Sequence, residues 1–284
     1  MLPVTVTVGP LQSASANNIC TSQTIPTGGG TFALNGSLAS STFVGTGAIA
    51  GNTLTVSGVT SGILNRGNLL NGLGVQANTF VIGTLASTTN GVGTYVVNTA
   101  QTLSSTTIYA GTTVTLDTPR RVIFTSAGND SGVTFTLIGT DWAGAYISEQ
   151  VTGANVGVAT SVLDYATITS ITASAATAST ITVGTNGVAG SAWVRTDDFA
   201  LGSLGAQFSV TGTVNYTLRT AFVEGTGTYS RANTVWDTSA SPVINATGTT
   251  TITLTSIPRQ LQVLLNSGSG SVTATFTQYG VAPY

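Results

Sequence analysis

The sequence predicts an all-β protein made of several antiparallel β-sandwich modules with almost no helix. Apolar and hydroxyl-bearing residues alternate with the period of two that a half-buried strand shows, as in VTFTLI at residues 133–138. Thr, Val and Ile favour strands because their branched side chains fit a pleated surface, and frequent Gly and Asn-Gly supply the turns. No stretch keeps the capped, 3.6-residue apolar period that a helix requires.

The predicted strands recur at intervals of about 8 to 12 residues, which favours antiparallel sandwiches over a parallel sheet. Within VTFTLIGT, the side chains of Val133, Phe135 and Leu137 share one face, and those of Thr134, Thr136 and Ile138 share the other. The clearest segments are VTFTLIGT (133–140), DYATITSITAS (164–174), STITVGTNG (179–187), QFSVTGTVNYTLRTAFV (207–223), TTTITLTSI (249–257) and GSVTATFTQYG (270–280).

Uneven charge along the chain indicates separate modules. All nine carboxylates lie at Asp117 or later, whereas residues 1–116 carry only Arg66. A nearly uncharged segment rich in Gly, Asn and Thr is interpreted as a small β module inserted into a host domain. The uncharged, strand-like start MLPVTVTVGP is a candidate anchor, because such a strand can add to another subunit's sheet. The predicted domains are a host β-sandwich at residues 1–40 and 111–199, the insertion at 41–110 and a C-terminal β-sandwich at 200–284.

Composition argues against several classes of function. The chain has no His, which removes Ser-His-Asp triads and His-ligated zinc. A net charge of −2 argues against nucleic-acid binding, and no apolar run approaches the roughly 18 residues that span a bilayer.

The start of the chain shows no secretory signal, so we expect synthesis in a cytoplasm. The single Cys20 predicts a buried thiol. We therefore expect no enzymatic activity, cofactor, metal, nucleic-acid partner or membrane partner.

Carboxylates are the remaining candidates for catalysis, because paired Asp or Glu residues can hydrolyse glycosides. The favoured interpretation is structural: Asp130 and Asp141 occupy tight turns, in GNDSG and GTDWAG, and cap their own backbone. Clustered Asp residues holding calcium are a weaker hypothesis, since no EF-hand spacing is present. The catalytic candidates are Asp141, Glu149, Asp164, Asp197, Asp198 and Glu224.

Aromatic side chains could line a sugar-binding surface by stacking, although such residues more often fill a sandwich core or an oligomer interface. Trp142 and Trp236 are the two candidates for surface, glycan or interface contacts. The wider aromatic set comprises Trp142, Trp193, Trp236, Tyr146, Tyr216, Tyr229 and Phe222.

One segment resembles a known family. Residues 120–194, which begin RRVIFTSAGNDSGVTFTLIGTDWAGAYISEQVTG and end GSAWV, closely resemble structural proteins encoded beside the capsid and tail genes of tailed bacteriophages. SQT (22–24) and LNGSL (34–38) precede the RRV strand in the order found in that family. GTVNYTLRTAFV (212–223) and GSVTATFTQYG (270–280) are similar to its C-terminal Ig-like sandwich. The insertion resembles a repeat unit common in phage fibre proteins.

The resemblance implies a virion structural protein on the particle exterior, made in the host cytoplasm. We expect a capsid decoration or head-fibre protein that binds the major capsid protein as a homo-oligomer, with a trimer favoured. One alternative is a neck or tail fibre or adaptor, bound to neck or tail proteins. A second is a carbohydrate-binding adhesin, and the weakest is a glycan depolymerase.

Overall fold

A computed structural model describes residues 3–11, 14–87, 91–197, 202–222 and 243–278. All described strand pairs are antiparallel, and these residues contain no helix. The prediction of an all-β fold with antiparallel β-sandwich modules is confirmed. No helix that is long and apolar enough to cross a membrane occurs in this part of the chain.

Within the described residues, twenty strands form three sheets, one of twelve strands and two of four. The strands are β1 (Val4–Val8), β2 (Ser15–Gln23), β3 (Gly30–Thr31), β4 (Ala39–Ser40), β5 (Phe43–Gly62), β6 (Leu70–Asn71), β7 (Val81–Ser87), β8 (Gly93–Ala110), β9 (Thr113–Asn129), β10 (Thr134–Thr140), β11 (Tyr146–Thr152), β12 (Asn155–Thr160), β13 (Tyr165–Ala173), β14 (Ile181–Gly190), β15 (Val194–Arg195), β16 (Leu204–Thr211), β17 (Val214–Ala221), β18 (Thr250–Leu254), β19 (Gln260–Gly268) and β20 (Ser271–Gln278).

The host unit is a sandwich whose two layers share strand β9. The start of β9 pairs with β4 and β13, whereas its later residues pair with β12 and β14. Between the layers lies an aromatic cluster, in which Phe124 stacks on Phe135 with ring centroids 4.6 Å apart and Phe32 meets Phe135 edge-on at 5.8 Å. The alternation of VTFTLIGT thus places Phe135 and Leu137 in the core, with both side chains fully buried.

The inserted segment has a hydrophobic cluster of its own. All of its buried members lie between Phe43 and Ala110, and β5 pairs with β8 along most of its length. Hydrogen bonds connect the insertion to the host unit, and two of them involve Thr31: its N donates to Val75 O at 2.7 Å, and its Oγ1 donates to Gly72 O at 2.8 Å.

The C-terminal unit contains strand β1, which corrects the prediction that residues 1–40 belong to the host. Val4 to Val8 pair with Phe276 to Val272 of β20, and Val8 packs in the C-terminal hydrophobic cluster. Thr5 and Thr7 form hydroxyl contacts with Thr275 and Thr273 on the exposed face. The alternation of β1 matches that of β20, so pairing turns the valines toward the C-terminal cluster, with Val8 buried and Val4 and Val6 partly buried, and leaves the threonines exposed. Within the chain, β1 therefore adds to its own C-terminal sheet.

The boundary between the host and C-terminal units also lies earlier than residue 199. The buried members of the host cluster end at Val183, and Ala189 and Val194 already pack in the C-terminal cluster. Strand β14 causes this shift, because its first half pairs with β9 and its last residues, Ala189 and Gly190, pair with β19.

Candidate functional site

A buried polar cluster lies where the host and C-terminal units meet, and we call it the joint cluster. It consists of Arg121 on β9, Asp164 just before β13, Arg219 on β17 and Gln262 on β19. Asp164 lies at its centre, with Oδ1 accepting from Arg121 Nε at 2.6 Å and Oδ2 from Arg219 Nη2 at 3.0 Å. The cluster thus connects two host segments to two strands of the C-terminal unit.

Gln262 completes the cluster. Its Nε2 donates to Ser191 O at 3.0 Å and approaches Asp164 Oδ2 at 3.4 Å, and its Oε1 accepts from Arg219. A buried charge is costly unless it is paired and hydrogen-bonded, and here one carboxylate meets two guanidinium groups. Burial lowers the pKa of Arg219, while the Asp164 carboxylate opposes that shift.

Arg120 lies beside the same junction, and its side chain binds within the host unit. Its side chain is 1% exposed, and its guanidinium donates to Asp117 Oδ1 at 3.2 Å and to Asn186 O at 2.5 Å. Arg120 also pairs with Ala189 of β14, which in turn pairs with Leu265 of β19. The two adjacent arginines therefore have different partners, because neighbouring side chains on a strand point to opposite faces.

Glu149 of β11, a catalytic candidate, holds a turn of the host unit. Its Oε1 accepts from Val162 N at 2.5 Å and its Oε2 from Leu163 N at 2.9 Å. Burial raises the pKa of Glu149, and these two backbone hydrogen bonds partly offset the shift. All four carboxylate oxygens of Glu149 and Asp164 thus accept hydrogen bonds from the chain itself. This arrangement can stabilise the local structure of the chain, and it does not present two free carboxylates to a substrate.

The carboxylates of Asp141 and Asp130 bind different parts of the chain. Asp141 Oδ1 caps its own turn by accepting from Ala143 N at 2.8 Å and Ala145 N at 2.9 Å, as the sequence indicated. Asp130 begins the expected turn, in which Val133 N donates to Asp130 O at 2.8 Å. Its fully buried carboxylate does not cap that turn as predicted but accepts from Ser126 Oγ and, at 2.7 Å, from Ala178 N.

Asp197 lies near the end of the C-terminal sheet, where its backbone N donates to Gln278 Oε1 at 2.8 Å. Asp198 and Glu224 lie outside the described residues. No group of three or more His, Cys, Asp or Glu side chains that could hold a metal ion occurs among the residues that the structure describes.

The structure describes only some of the aromatic candidates. Trp142 lies in the turn between β10 and β11 and is 38% exposed, and Tyr146 at the start of β11 is 55% exposed. Trp236 and Tyr229 lie outside the described residues. The structure therefore gives one exposed aromatic pair close in sequence, at the tip of the β10–β11 hairpin.

Sequence reasoning missed the joint cluster as a unit. Arg219 lies in NYTLRTAF, an apolar strand pattern, and a charged residue there signals a buried ion pair. Nothing in the sequence identifies the partners of Arg219, because Asp164 lies 55 residues earlier and Gln262 lies 43 residues later.

Comparison with known proteins gives no match to a family model, a curated protein or a solved structure.

Proposed function

We propose that the chain is a non-enzymatic structural protein of a tailed-bacteriophage virion, a capsid decoration or head-fibre protein that binds and stabilises the capsid exterior. The observation that carries the proposal is the joint between the host and C-terminal units. Strand β14 runs through both units, and the joint cluster bridges them with largely buried ion pairs. We expect such a junction to resist bending, which would suit a component that bears load on a particle.

The state of the acidic residues also supports a role in contact rather than catalysis. Glu149, Asp164, Asp130 and Asp141 each accept hydrogen bonds that stabilise the chain's own turns or its unit junction. The resemblance of residues 120–194 to phage structural proteins adds the virion context, because the junction residues Arg120, Arg121 and Asp164 lie within that segment.

Open strand edges support binding to other subunits. Among the described strands, β11 pairs with β10 alone and β12 pairs with β9 alone. The side chains of Val156, Val158 and Val162, on and just after β12, are 65%, 54% and 69% exposed. Exposed edges and apolar side chains promote aggregation unless a partner covers them. A homo-oligomer, with a trimer favoured, or the major capsid protein would provide that cover.

A reconstitution experiment tests this function. Phage heads that lack the chain are mixed with increasing amounts of the purified full chain, and the temperature at which they release DNA is measured. Binding to the assembled shell should raise that temperature in a saturable manner, because a ligand that binds only the intact state stabilises it. An unchanged release temperature, equal to that with an unrelated β-sandwich protein, would count against the proposal.

A carbohydrate-binding adhesin is the second candidate, favoured by the exposed Trp142 and Tyr146 at one hairpin tip. Exposed aromatic rings of this kind can stack on sugars. The test is binding of the chain to a panel of bacterial surface glycans, before and after Trp142→Ala. Binding that the substitution abolishes would support this candidate, and absence of binding across the panel would remove it.

A further inference from the structure

A cleft separates the host unit from the inserted module at a site distant in sequence from the joint cluster. Its volume is about 430 Å³, within the range of about 300–1,000 Å³ typical of small-ligand sites. One wall is the host turn between β2 and β3, at residues 24 and 26–29. The other wall comprises residues 73, 74, 76 and 101–106 of the insertion.

The polar lining of this cleft consists of uncharged groups. Hydroxyl and amide side chains dominate it, and Pro26, Leu73 and Leu103 supply small apolar surfaces. A charged ligand would lose its hydration there without gaining a counter-charge, which is unfavourable. A ligand rich in hydroxyl groups fits better, since hydroxyls and amides both donate and accept hydrogen bonds. The polar side chains of the lining include those of Thr24, Thr27, Gln76, Thr102, Ser104 and Ser105.

Internal hydrogen bonds hold the walls of the cleft in place. Gln101 Oε1 accepts from Gln76 N at 3.0 Å, and Gln101 Nε2 donates to Thr79 Oγ1 at 2.9 Å. Beside the cleft, Thr31 bridges to the insertion through its N and Oγ1. A site that is already ordered loses less entropy when a ligand binds.

A glycine keeps the space between the two walls open. Gly74 has φ +79°, and a Cβ at this position would lie 3.1 Å from Pro26 Cγ and 3.4 Å from Leu103 Cδ1. Any side chain here would both strain the backbone and fill the cleft.

We propose that this cleft binds a neutral oligosaccharide. Sugar hydroxyls would bond to the Ser, Thr and Gln side chains, and the apolar C–H faces of the rings would pack on Pro26 and Leu103. A peptide is less favoured, because peptide recognition by strand addition depends on backbone edges. Here, side-chain hydroxyls provide most of the polar lining. This inference is independent of the virion proposal, since glycan binding and capsid binding are measured separately.

Calorimetric titration of the full chain tests the inference. The probes are maltotetraose, cellotetraose and chitotetraose, with the peptide Gly-Ser-Gly-Ser as the comparison ligand. We expect saturable binding of at least one tetrasaccharide with a Kd of about 1 mM or lower, and weaker binding of the peptide. No binding of any tetrasaccharide, or tighter binding of the peptide, would overturn the inference.

Matched variants locate the binding site. Ser105→Trp fills the cleft from an exposed wall position, and Ser61→Trp places the same side chain at an exposed position of the same module outside the cleft. Ser105→Trp should weaken tetrasaccharide binding at least about tenfold, a change of about 1.4 kcal/mol. Ser61→Trp should leave it unchanged. Equal affinities for the two variants, with equal thermal stability, would contradict the assignment to this cleft.

Discussion

Asp164 Oδ2 lies 3.0 Å from Arg219 Nη2, although Asp164 belongs to the host unit and Arg219 to the C-terminal unit. Asp164 also binds Arg121 at 2.6 Å through its other oxygen, so one carboxylate neutralises guanidinium groups from both units. The side chains of Asp164, Arg121 and Arg219 are 10%, 14% and 9% exposed. Water therefore provides little compensation when this carboxylate is removed.

The first prediction concerns Asp164→Asn. This change removes the negative charge and leaves two largely buried guanidinium groups facing each other, so the free energy of unfolding should fall by about 3–5 kcal/mol. Chemical denaturation monitored by tryptophan fluorescence measures it. Arg66→Gln, which removes an exposed charge, is the control and should change stability by no more than about 0.5 kcal/mol. Equal losses in the two variants would show that the joint cluster contributes little.

The second prediction concerns pH. Burial raises the pKa of Glu149 above its ordinary value of 4.5, so the folded protein holds this proton more tightly than the unfolded chain does. The stabilisation from this group is fully present below the unfolded pKa and is lost as pH rises through the folded pKa. Wild type should therefore lose stability relative to Glu149→Gln between about pH 4.5 and neutrality.

Denaturant titrations of both proteins across this pH range measure the difference in free energy of unfolding. Comparing the two proteins cancels contributions from the other titrating groups. A difference that is constant with pH, or that changes in favour of wild type as pH rises, would contradict the raised pKa of Glu149.

The third prediction concerns the host core. Phe135 is fully buried and contacts both Phe32 and Phe124, so Phe135→Ala should leave a cavity and reduce the free energy of unfolding by about 3–5 kcal/mol. Phe222→Ala removes the same atoms from a side chain that is 54% exposed, and its effect should be much smaller. The unfolding free energies of the two variants give the comparison, and similar losses would argue against the aromatic core.

The fourth prediction concerns Cys20. Its side chain is fully buried, and burial raises the pKa of the thiol, so little reactive thiolate is present or accessible. The native protein should resist modification by a thiol-specific reagent at pH 8 and should react after denaturation. Mass spectrometry of the protein before and after denaturation gives the modified fraction. Rapid reaction of the native protein would show that Cys20 is accessible.

Local patterns in the sequence were enough to predict the strands and the class of fold. The alternation in VTFTLIGT correctly puts Phe135 and Leu137 on one face of a strand, which the structure shows to be buried, and GTDWAG correctly gives a turn capped by Asp141. These features depend on neighbours a few residues apart, whose geometry the strand period and turn chemistry determine.

Long-range pairing could not be read from the same patterns. Strand β1 pairs with β20, and the Thr5 and Thr275 hydroxyls that meet there are 270 residues apart in sequence. Several strands share the Val-Thr alternation, so the pattern fits many partners equally well. The position of Asp164 between two arginines was hidden for the same reason, since only the folded chain brings β9, β17 and β19 together.

The most direct test of the central claim is the copy number of the chain on purified phage particles. Heads and tails are separated, and quantitative mass spectrometry counts the chain against the major capsid protein. A capsid decoration or head-fibre protein that follows the symmetry of the shell should be present in the head fraction, on the order of hundreds of copies for decoration of every capsomer. About a dozen copies or fewer, confined to the neck or tail fraction, would instead indicate a fibre or adaptor. Absence from both fractions would contradict the assignment to the virion.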